Sequence, residues 1–366
     1  MNKDVLSEKQ GIFIIILFLI ATSTNIITGS SGKNDLWMVI ILGFLATLPI
    51  AMICARLCDL FPGKDLYDIS LICYGKTFGK FMIFIYIIYC IHVELYVILD
   101  YAFFVNIVAA SDTPKIVSVI ILMLLGNWII RYKNEILANW SKFFFIFFIF
   151  YIFLGIAFMI PDMNVQNLFP VLYNGVGPII KATFGVVSFP FAQIIVFTIY
   201  CSGFEKNASA WKIYIISLAV GALLILMNSV AGLMVLGADG INSTYFSSYD
   251  AFARINIGNF IQRFESLSAI IYTLGVFMKS SIYLLCITKG IGKLFDFEEY
   301  NFITTLSCLI IINMSNILHK NVEDNFHWIF NIFPYYSFLF QGILPIFIWV
   351  SAEIYMKLKS SNTRLS

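Results

Sequence analysis

Long apolar stretches, separated by short polar connections, cover almost the whole of this 366-residue chain. A bilayer core about 30 Å thick needs roughly 20 apolar residues per helix. Backbone amides in hydrocarbon must be satisfied within the protein, so the pattern predicts an all-α integral membrane protein. The ten predicted membrane-spanning helices, or spans, cover about residues 11–31, 36–57, 81–110, 115–131, 140–160, 178–201, 211–236, 264–289, 299–317 and 333–356.

The composition excludes a water-soluble protein, because 60% of the residues are hydrophobic and the mean hydropathy is +0.89. Little chain lies outside the spans, so residues 1–366 are expected to form a single polytopic domain. The net charge of +2 comes without a basic tract. Membrane lipid, and not nucleic acid, is therefore the expected surrounding.

The basic residues are distributed unevenly between the two sides of the predicted bundle. With the N-terminus inside, 16 lysines and arginines fall on the cytoplasmic side and six outside, and Lys279 lies within span 8. Cytoplasmic loops of membrane proteins carry such an excess. Both termini are therefore predicted to be cytoplasmic, which requires an even number of spans.

Two spans carry features that break a helix. Span 1 has a run of small and polar residues from Ala21 to Ser31, and span 6 has Pro190 near its middle. The breaks occupy matching positions in two five-helix halves, about 11–160 and 178–356, which favours an inverted-repeat transporter fold. A simple proline kink in span 6 and ordinary small-residue packing in span 1 are the alternatives.

Ionisable residues within the spans are candidates for function, because charge in a membrane is costly. Lys279 is expected either to stabilise the carbonyl groups at the break in span 1 or to extend towards the cytoplasmic face. Glu94 and Asp100 in span 3 are six residues apart, about 240° around a helix. Their side chains are therefore not expected to form a paired-carboxylate site. At least one of the two is expected to be an interface residue, and Glu94 is expected to lie deeper than Asp100. His92 is expected to be a packing residue.

No motif for catalysis or cofactor binding is present. The three histidines and seven cysteines have no metal-ligand spacing, and no glycine-rich phosphate loop occurs. The protein is therefore expected to be neither an enzyme nor a holder of a cofactor or metal. The longest predicted outside loop, about 237–263, is long enough to act as a lid, although a plain connection is equally compatible.

Short motifs carry a resemblance to a known family. They are Phe61-Pro-Gly-Lys-Asp-Leu-Tyr67 after span 2, Asn167-Leu-Phe-Pro-Val-Leu172 before span 6, and Gln262-Arg-Phe-Glu-Ser266 at the start of span 8. In this order and spacing the chain resembles the GerAB-type spore germination proteins, the B subunits of nutrient germinant receptors. These in turn are similar to amino acid–polyamine–organocation transporters, with a LeuT-like fold of ten helices and breaks in helices 1 and 6.

The resemblance implies a receptor subunit in the spore inner membrane that works with A and C subunits. It would bind a small germinant, an amino acid, between the two breaks. Lys279 and Glu94 are the expected structural or coupling charges, and Arg263 and Glu265 an outer-edge motif. The expected ligand-binding residues are Thr22, Ser23, Thr24, Asn25, Ser188, Phe189, Pro190, Phe191 and Gln193.

Two departures from the family pattern leave other functions open. Ala21-Thr-Ser23 stands where relatives often carry a glycine-x-glycine break, and Gln193 is neutral where many carry a glutamate. A proton-coupled amino-acid transporter would need Lys279 or Glu94 for coupling. A scaffold that no longer binds ligand is the third hypothesis, and a pocket too small for an amino acid would favour it.

Overall fold

The computed structural model describes residues 6–131, 134–205, 207–256, 263–297 and 301–363. Within these ranges the chain is helical, and its one β feature is an isolated bridge between Leu6 and Phe204. The α-helices are α1 Glu8–Ile20, α2 Leu36–Leu60, α3 Leu66–Phe104, α4 Lys115–Arg131, α5 Asn134–Met159, α6 Val176–Ser188, α7 Val196–Tyr200, α8 Ala210–Asn242, α9 Ser247–Ala253, α10 Phe264–Phe295, α11 Asn301–Leu318, α12 Val322–Asn331, α13 Phe333–Phe338 and α14 Leu344–Thr363.

Eight helical stretches in the described part of the chain are long and apolar enough to cross a membrane, which confirms a helical, multi-pass membrane protein. The two other predicted spans coincide with α1 and α4, which have 13 and 17 residues. The eight stretches are Ser30–Leu60, Leu66–Ala109, Asn139–Asp162, Val176–Gly203, Ala210–Asn242, Phe264–Phe295, Asn301–Leu318 and Phe333–Ser361.

The first helix stops in the middle of the predicted span. A capping box between Ser7 and Gln10 starts α1, and the helix ends at Ile20. The hydroxyl of Thr24 donates to the carbonyl oxygen of Ala21 at 2.8 Å. Hydroxyl and amide side chains compete in this way with helical hydrogen bonds. The chain then runs irregularly to Gly29, whose φ of 78° lies in the left-handed region.

The sixth span is interrupted at its proline. Helix α6 ends at Ser188, and Phe189 is extended, with φ −147° and ψ 112°. A residue before proline avoids the helical conformation, and proline has no N–H to donate. A 3₁₀ turn over Phe191–Ile195 then leads into α7. Both predicted breaks are thus present as interruptions of the helix.

Helix α3 is longer than the predicted span 81–110, because it begins at Leu66 and bends at Gly75, where φ is 75°. Asp65 starts it with a capping box to Asp68. The two arms pack closely after the bend: a Cβ on Gly79 would lie 2.8 Å from the Cα of Leu71. A π-helical turn ends the span at Ala109.

Helix α10 lies at the centre of the bundle and contacts α1, α3, α4, α5 and α11. Its side chains are almost all buried from Val276 to Thr288. It approaches the break in span 1 closely, since a Cβ on Gly275 would lie 3.0 Å from the Cα of Ala21. Small residues allow such close backbone contact between membrane helices.

The predicted outside loop 237–263 is partly helical and packs onto the break in span 1. Gly237, with φ 71°, bends the end of α8. The Ser247 hydroxyl accepts from the Ile27 amide at 3.0 Å, and the Ser248 amide donates to the Asn25 carbonyl at 3.0 Å. Residues 257–262 of this loop lie outside the described residues. The described part is tied to the bundle by these hydrogen bonds.

The close approach at Gly275 predicts that a larger side chain there destabilises the protein. We expect Gly275→Leu to lower the free energy of unfolding by about 1–3 kcal/mol through overpacking. The measurement is the midpoint temperature of thermal unfolding, determined by size-exclusion chromatography of the detergent-solubilised protein after heating. Gly177→Leu is the matched control, because a Cβ there meets nothing within 4 Å. Equal midpoints for the two variants would contradict the packing at Gly275.

Candidate ligand-binding site

A cavity of about 520 Å³ opens between the breaks in spans 1 and 6; we call it the large cavity. Its size is within the range of small-molecule sites. Three parts of the protein surround it: the irregular segment after α1, one face of α6, and residues in and next to α9 and α12. Its lining residues include Thr22, Ile26, Thr28, Ser30, Lys181, Gly185, Phe189, Thr244, Ser247, Ile329, Phe330 and Tyr335.

A second cavity, the small cavity, lies beside it and has about 20 Å³, room for about one water-sized group. Helix α3 supplies one wall and Gln193, after the break in span 6, another. The two cavities share five lining residues, so they are adjacent. These shared residues are Thr22, Ile26, Phe189, Ile329 and Phe330.

Three residues that line the small cavity carry buried polar atoms without a hydrogen-bond partner among the described residues. They are the hydroxyl of Thr22, the amide of Gln193 and the Oδ1 atom of Asp100. Buried polar groups are normally hydrogen-bonded, and those that are not call for an explanation such as a bound group. Thr22 and Gln193 were predicted from the sequence to contribute to the site.

Asp100 is a site residue that the sequence prediction missed. Its side chain is 4% exposed, and its Oδ2 atom accepts from the Tyr272 hydroxyl at 2.6 Å. Both carboxylates are buried, and the expectation that at least one of them lies at an interface stays a prediction. An angle of 240° one way around a helix is 120° the other way. Both carboxylates can therefore reach α10, where Ser280 donates to Glu94.

A helical pattern could have identified Asp100. Val93, Tyr96, Val97 and Asp100 all line the small cavity. They stand at positions i, i+3, i+4 and i+7, which share one face of a helix. The spacing predicts a common face, although it does not predict which neighbour that face meets.

Lys279 lies between the two breaks and is completely buried, which excludes one of its two predicted alternatives, extension to the cytoplasmic face. Its Nζ atom is 4.9 Å from the ring centre of Phe18 on α1 and 4.8 Å from that of Phe189. Aromatic faces attract a cation at such distances. Lys279 also interacts electrostatically with Asp100 and Glu94. It thus connects α1, the break in span 6 and α3.

The other predicted residues of span 1 stabilise the irregular backbone and do not line either cavity. Ser23 and Thr28 share a hydrogen bond of 2.9 Å between their hydroxyls. The Asn228 amide donates to the Ser23 carbonyl at 2.8 Å. Asn25 is fully buried, and its carbonyl accepts from α9. Ser23, Thr24 and Asn25 therefore hold the conformation that leaves Thr22 at the cavities.

Three predicted residues of span 6 also lie outside the two cavities. The Ser188 hydroxyl donates to the Pro334 carbonyl at 3.1 Å, and Gln341, which the prediction missed, donates to the Ser188 carbonyl at 3.0 Å. Phe191 is fully buried and packs near Gly43. Pro190 is buried at the break itself. Only Phe189 and Gln193 of this group reach the cavities.

The outer-edge motif forms an ion pair within itself. Arg263 and Glu265 are 3.7 Å apart, with the arginine side chain 84% exposed and the glutamate 15% exposed. The pKa of Tyr249 on α9 is raised, mainly by burial of its side chain and next by the negative charge of Glu265. Glu265 is therefore close to the described part of the predicted lid loop. His92 packs edge-on against Tyr96, Trp328 and Tyr336, as expected for a packing residue.

Comparison with known proteins places the chain in a family. A family model described as spore germination protein matches residues 5–324. The chain belongs to this family of spore germination proteins. This is a family of germination proteins and not an enzyme family. The described residues of this chain contain no group of three or more side chains that could hold a metal ion.

Named relatives from Bacillus subtilis (strain 168) are similar to this chain over most of its length. Spore germination protein KB is 24% identical over 359 residues, which cover 96% of this chain and 95% of the relative. Spore germination protein YndE is 22% identical over 359 residues, 95% of this chain and 96% of the relative. Spore germination protein A2 is 23% identical over 201 residues, 54% of this chain and 53% of the relative.

The position of Lys279 predicts a loss of stability when its charge is removed. We expect Lys279→Met to lower the free energy of unfolding by about 3 kcal/mol, because Glu94 and Asp100 lose the cation buried beside them. Thermal unfolding in detergent measures it. Lys181→Met, at an exposed lysine, is the control. Combining Lys279→Met with Glu94→Gln should recover part of the loss, and a fully stable Lys279→Met protein would show that the charge is not needed.

Proposed function

We propose that this protein is the transmembrane B-type subunit of a spore nutrient germinant receptor and binds a small germinant, an amino acid, in its two cavities. The observation that carries this proposal is the pair of cavities between the two helix breaks, with unpartnered polar atoms of Thr22, Gln193 and Asp100 at the small one. Family membership supplies the biological process. The cavities supply a place where a ligand can act.

The size of the large cavity supports ligand binding over a scaffold role. An amino acid needs far less space than the cavity volume of about 520 Å³. Protein pockets for small molecules are commonly of this size. At the small cavity, polar groups of Thr22, Gln193 and Asp100 are left unpaired. Such groups cost free energy unless something compensates them.

The proposed architecture has ten membrane spans arranged as two inverted repeats, about 11–160 and 178–356. The eight long stretches, together with α1 and α4, supply ten spans. The breaks after Ile20 and Ser188 fall in the first span of each repeat. Binding near the midplane at paired broken helices is a property of this fold class. An even number of spans agrees with both termini in the cytoplasm.

Ligand binding would act by shifting the balance between two arrangements of the bundle. A ligand shifts such a balance only by its difference in affinity for the two states. Phe189 lines both cavities and contacts Lys279, so movement of this ring would be felt by α1 and α10. We propose that this change passes to the A and C subunits in the spore inner membrane.

A proton-coupled transporter is the second candidate, favoured by the buried set of Lys279, Glu94 and Asp100. Buried acids and bases in transporters commonly carry protons. The neutral Gln193 at the small cavity argues against it. Uptake of the twenty common amino acids, labelled, into proteoliposomes with and without a proton gradient separates the two. We expect saturable binding without accumulation; gradient-driven accumulation would instead make this protein a transporter.

A variant that fills the large cavity tests ligand binding. We expect Gly185→Trp to weaken amino-acid binding by more than about tenfold, and a tenfold change corresponds to about 1.4 kcal/mol of binding free energy. Gly185 lines the large cavity, and a Cβ there meets nothing within 4 Å. The indole therefore enters open space and need not disturb the core. Binding of the same labelled amino acids to the purified receptor complex in nanodiscs measures the effect.

Gly177→Trp is the matched control for this variant. Gly177 lies on the same helix, and a Cβ there also meets nothing within 4 Å, but it does not line the large cavity. We expect wild-type binding from this control, and a germination response of spores that follows binding in both variants. Unchanged binding in Gly185→Trp would place the ligand elsewhere.

A further inference from the structure

The charged groups buried deep in the bundle do not balance. Glu94 and Asp100 contribute two carboxylates and Lys279 one ammonium, and all three side chains are at most 4% exposed. Counted as ionised, they leave one negative charge in a low-dielectric interior, where an uncompensated charge is costly. Either a proton on one carboxyl group or a further cation within reach of a carboxylate would compensate that charge.

Glu94 and Asp100 each have one oxygen without a hydrogen-bond partner among the described residues, and Asp100 is the one that lines a cavity. Tyr272 occupies its Oδ2 atom, while Oδ1 has no hydrogen-bond partner among the described residues. Asp100 also lines the small cavity, which Glu94 does not. The unpaired oxygen therefore belongs to a residue that a ligand can approach.

The neighbouring groups match a primary ammonium. An ammonium donates three hydrogen bonds. Oδ1 of Asp100, the hydroxyl of Thr22 and the side-chain carbonyl of Gln193 are three acceptors at the small cavity, each buried and unpartnered within the described chain. The space of about 20 Å³ accommodates one group of the size of water, which is also the size of an ammonium.

We propose that the small cavity is an ammonium-binding subsite in which Asp100 is the counter-ion of the germinant's amino group. This deepens the proposed function, on which it rests. The remainder of the ligand would occupy the large cavity beyond the shared wall of Thr22, Ile26 and Phe189. Lys181 is the one charged side chain lining that cavity within the described residues, and it offers a partner for a carboxylate.

Binding at this subsite requires a small movement of its walls. The three acceptor atoms are inaccessible to solvent in this structure, so an ammonium reaches them only when the small cavity widens. Phe189 lies on the shared wall and also contacts Lys279, so its movement would connect the widening to the rest of the bundle. The ligand would thus stabilise a state different from the present one, as a receptor requires.

Competition with ligand fragments tests the subsite without any mutation. The wild-type receptor complex in nanodiscs is incubated with labelled L-alanine, L-valine or L-leucine. The amine-only competitors are ethylamine, isobutylamine and isopentylamine, and the acid-only competitors are propionate, isovalerate and isocaproate. We expect each amine to compete at concentrations at least about tenfold lower than its matched acid, because the acid lacks the ammonium for the buried Asp100, whereas the amine lacks only the carboxylate that would face the exposed Lys181. Acids that compete as well as amines would overturn the proposal.

Substitution of Asp100 provides the second test. We expect Asp100→Asn to weaken binding of these amino acids about 10- to 100-fold and to abolish the advantage of amines over acids. Asp162→Asn, at an exposed outer position, should bind as wild type. The change in amine-to-acid preference separates loss of the counter-ion from a general structural defect.

The outcomes distinguish this proposal from the proposed function. Saturable amino-acid binding that Asp100→Asn leaves unchanged would overturn the ammonium subsite and leave the receptor function standing. Failure of the wild-type complex to bind any of the twenty common amino acids would overturn both. Binding that is blocked by Gly185→Trp but keeps no preference for amines would place the ligand in the large cavity alone.

Discussion

The requirement that every backbone amide and carbonyl in a membrane interior find a partner governs this structure. Ending α1 at Ile20 frees several such groups in the middle of the bundle. Serine and asparagine side chains of α8 and α9 then take the place of the missing helical bonds: Ser247 accepts from Ile27, Ser229 from Thr28, and Asn228 donates to Ser23. These three side chains therefore support the irregular backbone of span 1.

The same requirement explains where the cavities lie. A stretch of irregular backbone cannot pack as closely as two helices in contact, and proline prevents span 6 from closing the gap from the other side. Helix α10 closes one side tightly at Gly275, whereas the opposite side remains open as the large cavity. Unpaired polar atoms at the small cavity follow, because the support from α8 and α9 does not extend to Thr22 or Gln193.

The sequence predicts the parts of this architecture that local chemistry controls. Apolar length identifies the long helices, and Pro190 and the polar run after Ile20 identify both interruptions. It does not predict how faces from distant segments meet. Asp100 pairs with Tyr272, 172 positions away, and Phe330 reaches the cavities from α12, a helix that was assigned to a connection. Ser23, Thr24 and Asn25 lie at the break but do not line the cavities: the hydroxyls of Ser23 and Thr24 bond within the irregular segment, and the backbone carbonyl of Asn25 accepts from α9.

Lys279 shows why a buried charge cannot be interpreted from its own helix alone. Its position in α10 allows either extension to the membrane surface or burial. The decision depends on Phe18 and Phe189, whose rings flank the ammonium, and on two carboxylates that face α10 from α3. Both rings lie next to a helix break, so the cation is held where the backbone is least regular. A group bound at Asp100 would alter the electrostatic environment of Lys279, and through Phe189 the geometry of span 6. In the proposed receptor, binding and conformation would be coupled by contacts that already exist.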